Sequence, residues 1–115
     1  NHSDTAKPAA NGVLEIAGMT FDPRSRRLET PGQYVILAPA EARLLHALLL
    51  NEGQLQTRDQ MTQSICGREW SPGDRSIDVL INRLRGHIRS FPVDIVTVHR
   101  AGYLLVCETE NAVRT

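Results

Sequence analysis

The spacing of apolar positions changes character twice along the chain. Between Val13 and Leu37 apolar residues come in short runs, VLEIAGMTF, RRLE and QYVIL, rich in β-branched and aromatic side chains. Pro23-Arg24-Ser25-Arg26 and Thr30-Pro31-Gly32 break the runs with turn-forming residues. This predicts an antiparallel meander of three or four strands over residues 14–37. From Pro39 the period lengthens. Leu44, Leu45, Leu48 and Leu49 recur at helical spacing and form a broad apolar face. Pro39 suits a first helical turn, where its missing N–H costs nothing, and Asn51-Glu52-Gly53 stops the helix. Thr57 followed by Gln60 has capping-box spacing and predicts a shorter second helix over residues 58–65. Residues 66–73 read as a loop. Asp74 is an N-cap for a third helix over residues 75–89, closed by Phe91-Pro92. IVTV and YLLV, flanking His99-Arg100-Ala101-Gly102, predict a β-hairpin. The small, polar residues 1–12 read as a linker or terminus, residues 13–108 as the folded domain, and residues 109–115 as a tail. The fold class is therefore α+β. Strands, three helices and a terminal hairpin make the order of a winged helix.

The third helix separates cleanly into two faces. At 100° per residue, Ile81, Leu84 and Ile88 fall within about 40° of Ile77, and Leu80 within about 60°. Arg75, Val79, Asn82, Arg83 and Gly86 lie opposite, Arg89 lies on a flank, and Arg85 and Asp78 sit near the core margin. Arginine forks onto guanine, asparagine contacts adenine, and valine meets a thymine methyl, so this face suits a major-groove reader. The bland alternative is an ordinary solvated helix face.

Charge sharpens that choice. The formal net charge is zero, yet residues 1–74 carry −2, residues 75–100 carry +3, and residues 101–115 carry −1. The basic side chains are 12 arginines and a single lysine, and arginine is the better fork for phosphates and guanine edges. His99 and Arg100 at the hairpin tip are cations of the kind that enter a narrow minor groove.

With 115 residues, the chain has one domain's length and enough to bury an ordinary core. No apolar run approaches the ~18 residues a membrane span requires. Cys66 and Cys107 read as free, half-buried thiols of a reducing compartment, which points to the cytoplasm, with a single bridge between them as the alternative. The cysteines and the four histidines show no metal-ligand spacing, and no phosphate-binding glycine loop is present, so neither enzyme, metal nor cofactor is expected. His46, beside the leucine stripe, reads as a packing residue. Asp78 reads as the ion-pair partner of Arg85 or another nearby arginine.

The string DRSIDVLINRLRGHI followed by IVTVHRAGYLLV closely resembles the DNA-binding output domain of the OmpR/PhoB class of bacterial response regulators. The upstream string LAPAEARLLHALLLNEGQLQTRDQM is similar to that family's first two helices. The resemblance runs over residues 14–106. It implies a winged helix-turn-helix with an N-terminal antiparallel four-stranded sheet, three helices and a C-terminal hairpin wing. By motif position, Val79, Asn82 and Arg83 would contact bases in the major groove. Arg75, Arg85, His87, Arg89 and Thr97 would contact phosphates, and His99 and Arg100 would enter the minor groove. Arg68, Glu69 and Trp70, in the loop before the third helix, would meet RNA polymerase. The family departures are Ala38 for a capping threonine, His87 for a lysine, His99 for an arginine or tryptophan, and Arg100 for a glycine. Family practice implies tandem dimers on direct repeats of double-stranded DNA, and a monomer as an isolated domain. It also implies control by a phosphorylated receiver domain and a sensor histidine kinase. A protein-binding winged helix and the DNA-binding domain of a membrane-anchored regulator are the alternatives.

Overall fold

The computed structural model describes residues 7–8 and 12–107. Five strands open the chain: β1 (Lys7–Pro8), β2 (Leu14–Ile16), β3 (Met19–Asp22), β4 (Arg27–Thr30) and β5 (Gln33–Ile36). They form one antiparallel sheet in sequence order. The four-stranded meander is as expected. The extra edge strand β1, pairing Lys7 with Glu15, falls in residues 1–12, which composition assigned to a linker. Proline is tolerated at such an edge because an edge strand can leave a backbone donor unused. Leu14, Met19, Phe21 and Leu28 turn into the core, whereas Tyr34 and Ile36 stay exposed.

Helix α1 (Pro39–Leu50) begins at the proline, as its position in the sequence suggests. Ala38 offers no side-chain cap, but Glu41 Oε1 accepts the Ala38 amide at 3.2 Å and supplies half of a capping box. Leu44, Leu45, Leu48 and Leu49 are completely buried. A two-residue strand β6 (Gln56–Thr57) follows, and then α2 (Arg58–Met61). Both halves of the Thr57/Gln60 capping box form, at 3.1 and 2.8 Å. The second helix does not stay α-helical. From Thr62 to Cys66 it widens into a π turn that closes on Gly67 in the left-handed conformation.

Helix α3 spans Ser76–His87, shorter at both ends than expected. Asp74 caps it from one residue further out by accepting the Ser76 amide at 3.0 Å, so Arg75 takes the boundary position. At the other end a turn follows in which the Phe91 amide bonds Ile88 at 2.9 Å, and Arg89 lies past the helix. Ile77, Ile81, Leu84 and Ile88 complete the core stripe against α1.

The hairpin consists of β7 (Val93–Val98) and β8 (Gly102–Cys107). β8 lies between β7 and β6, an arrangement the sequence pattern did not suggest. At the β6–β8 crossing, Gly102 pairs with Thr57, and a Cβ built on Gly102 would stand 2.1 Å from the Gln56 carbonyl oxygen. Cys66 is exposed, Cys107 is half-buried, and neither is bridged. His46 is half-buried with its ring 6.3 Å from that of Phe21, the packing role expected of it. No helix among the described residues is long and apolar enough to cross a membrane. The C-terminal residues 108–115, including the expected tail, lie outside the described residues.

Candidate nucleic-acid interface

The amphipathic spacing of α3 rotates one face out of the protein. Arg75, Asn82, Arg83 and Gly86 are exposed, and Val79 is 44% exposed despite being apolar. Arg89 is exposed just beyond the helix end. A cleft of about 430 Å³ runs between the end of α3 and β7, lined by Asn82, Arg85, Gly86, Arg89, Val93 and Asp94. The hairpin projects Thr97, His99 and Arg100 into solvent. Its tip is a three-residue loop in which the Ala101 amide bonds the Val98 carbonyl at 2.9 Å. Arg100 occupies the left-handed region, with φ of 63°, so the turn keeps a glycine-like conformation without its glycine.

Between helix and wing lies a polar junction. Asp78 Oδ1 accepts from Arg58 Nε at 2.9 Å and from the Tyr103 hydroxyl, and Oδ2 accepts from Arg75 Nε at 3.3 Å. Arg58 also donates from Nη2 to the Tyr103 hydroxyl at 3.3 Å. Burial pushes the Asp78 carboxyl up, but the bonds from Tyr103 and Arg58 and the charges of Arg58 and Arg75 outweigh it. The group is held below the usual aspartate value. Burial, reinforced by Asp78, pushes the Tyr103 phenol up. The bond to Asp78 raises Arg58.

Of the two partners the sequence offers for Asp78, Arg85 or another nearby arginine, the structure has the second: Asp78 pairs with Arg75 three residues before it, and also with Arg58. Arg85 turns to the wing instead. Its Nε and Nη2 donate to the Ile95 carbonyl at 3.2 and 2.6 Å, and Nη2 also donates to Thr97 Oγ1 at 2.8 Å. An arginine expected on a phosphate is thus engaged in fastening β7 to α3. His87, also expected on a phosphate, sits with Nε2 3.2 Å from Glu41 Oε1, the buried oxygen that helps cap α1.

The loop before α3 is bonded to itself. Arg68 pairs with Asp74 and donates to Ser76 Oγ at 2.9 Å. The Trp70 indole donates to the Asp74 carbonyl at 3.0 Å, and the Trp70 amide to Asp59 Oδ1 at 3.3 Å. The Arg68 bond, followed by those from Ser76, draws the Asp74 pKa down to about 2. Glu69 is exposed.

Arg58, Tyr103 and Glu41 were not singled out from sequence. The one available signal was Tyr103 itself, since an inward-facing tyrosine needs a partner for its hydroxyl.

The protein-family profile described as "Transcriptional regulatory protein, C terminal" matches residues 32–105. The transcriptional regulatory protein AruR of Pseudomonas aeruginosa is 39% identical over 112 residues, covering 94% of this chain and 46% of AruR. The aerobic respiration control protein ArcA of Escherichia coli is 35% identical over 98 residues, covering 82% of this chain and 41% of ArcA. The chain thus spans about half the length of the curated relatives it matches. Among solved structures, the Klebsiella pneumoniae RstA DNA-binding domain in complex with the RstA box superposes with a TM-score of 0.74 at 32% identity. It covers 82% of this chain and 96% of that one. The DNA-binding domain of CpxR from E. coli superposes with a TM-score of 0.71 at 28% identity, covering 84% and 98%.

Proposed function

The chain belongs to the transcriptional regulatory protein C-terminal family, as an effector domain of the OmpR/PhoB class of response regulators. On that premise we propose that it binds double-stranded DNA sequence-specifically, with α3 in the major groove and the hairpin wing in the adjacent minor groove. The observation that carries this reading is the outward set Val79, Asn82 and Arg83, exposed on a helix whose opposite face is the core. A thymine methyl in the major groove would give the exposed Val79 side chain, which lies between Arg75 and Arg83 on this face, an apolar partner. The family is one of transcriptional regulators, not enzymes.

In this reading Val79, Asn82 and Arg83 touch base edges. Arg75 and Arg89 hold phosphates, and Thr97, whose hydroxyl accepts from Arg85, keeps its own proton to donate to one. Arg85 acts by setting the wing, and His87 stays with Glu41. His99 and Arg100 enter the minor groove. The self-bonded loop presents Glu69 as the contact for RNA polymerase, with Arg68 and Trp70 shaping it. In the longer protein, a receiver domain phosphorylated by a sensor histidine kinase would drive tandem assembly on direct repeats in the cytoplasm, the isolated domain being monomeric.

Selection from random-sequence duplexes with the 115-residue chain tests the proposal. A recurring motif spaced by about one helical turn is the expected result. Arg83→Ala should then lose about 1–3 kcal/mol and relax one base position, and an unchanged affinity for the selected site would place the reading face elsewhere.

A further inference from the structure

Helix α3 carries a single carboxylate, Asp78, one turn inside the end that faces the nucleic acid. A negative charge there opposes a polyanion unless something compensates it. The compensation is asymmetric. Oδ1 is taken by Arg58 and Tyr103, two groups behind the helix, while Oδ2 is left for Arg75. The Arg75 side chain is 77% exposed, yet its Nε is tethered, and a tether through Nε uses the edge that Nε shares with one Nη and leaves the end-on edge between the two Nη groups open. An exposed arginine loses rotamer freedom when it engages a ligand, and one already held loses less. Arg83 has no such tether among the described residues.

We infer that Asp78 is a positioning residue for DNA recognition: without touching the duplex, it holds Arg75 by Nε so that the outer edge of the guanidinium meets the DNA. Arg58 and Tyr103 hold the carboxylate in place, so the aim of Arg75 is referred to α2 and to the wing as well as to α3. The inference rests on the DNA-binding reading above.

The test is a double-mutant cycle on the 115-residue chain, Asp78→Asn, Arg75→Ala and both together, measured against the selected duplex and a scrambled one. Each single change should weaken the selected duplex by roughly tenfold, the worth of one charge-assisted bond. The double change should be no weaker than either single one to within about twofold. Because Arg75 holds a phosphate, Asp78→Asn should weaken the scrambled duplex in the same proportion and leave the ratio of the two affinities unchanged. A role confined to folding would compound with Arg75→Ala, and that result overturns the inference. So does a discriminating wild type matched by Asp78→Asn. A wild type that fails to discriminate removes the DNA-binding reading itself. Should Asp78→Asn not fold, nitrogen relaxation of the Arg75 Nε–H in the wild-type chain decides. An ordered signal is expected, and one as mobile as that of Arg83 refutes the tether.

Discussion

At the scale of single residues, two backbone positions set the wing. Gly102 stands where any Cβ would meet the β6 backbone, at 2.1 Å from the Gln56 oxygen and 2.9 Å from Thr57 Cα. All three nearest atoms are β6 backbone, so no flexible side chain stands there to yield. Gly102→Ala should therefore cost about 3 kcal/mol, read from thermal or urea unfolding. Arg100 is the reverse case. Its left-handed conformation costs a non-glycine residue about 1–2 kcal/mol, part of which glycine loses again through the freedom of its unfolded chain. Arg100→Gly should raise stability by about 0.5–1 kcal/mol while weakening DNA binding, and the opposite signs separate fold from function in one protein. Arg100→Ala should weaken binding more than His99→Ala, and equal losses in a mobility-shift titration would deny Arg100 the role of the wing's main cation.

At the scale of elements, the loop between α2 and α3 is governed by one carboxylate. Because Asp74 titrates at about 2, below the ordinary aspartate value of 3.8, its stabilising contribution is complete above about pH 4 and disappears as the pH falls through about 2. Trp70 is the sole tryptophan and bonds the Asp74 carbonyl, so its fluorescence should change across that window. In Asp74→Asn the acid transition should vanish. The elements themselves were largely legible in the sequence, because what makes them is local. The Pro39 start, the Thr57/Gln60 box and the isoleucine–leucine stripe of α3 each depend on neighbours within a turn or two. The departures arise where distant groups intervene. β1 and β6 are two-residue strands that exist by pairing with β2 and β8, and nothing in Lys7–Pro8 or Gln56–Thr57 announces them. The same division runs through the candidate site. Which side chains of α3 face outward follows from a 100° step. That Arg58 would answer Asp78 from 20 residues away, or that Arg85 would turn to Ile95, depends on the packing of separate elements.

At the scale of the whole molecule, neutrality hides a division of labour. The arginine excess is gathered on α3 and the wing, so the long-range field is local and the binding should be salt-sensitive although the net charge is zero. With the two cationic phosphate contacts, Arg75 and Arg89, log affinity should fall with log salt at a slope of about −1.8, or roughly tenfold weakening for a fourfold rise in salt. A flat response in a titration against salt would exclude phosphate-dominated binding. Gln33 on β5 also ties the first sheet to the turn after α3, donating to the Ser90 carbonyl at 2.8 Å and accepting from the Ser90 hydroxyl at 2.6 Å.

The crossing of β6 with β8 dictates when this protein can finish folding as it leaves the ribosome. Gln56, Thr57 and the Gly53 amide wait for Tyr103, Gly102 and the Leu105 carbonyl, so the first half of the chain emerges with its sheet partner still unsynthesised. A nascent polypeptide arrested before Gly102 should stay open to protease through residues 53–57, and release of the last hairpin strand should close it.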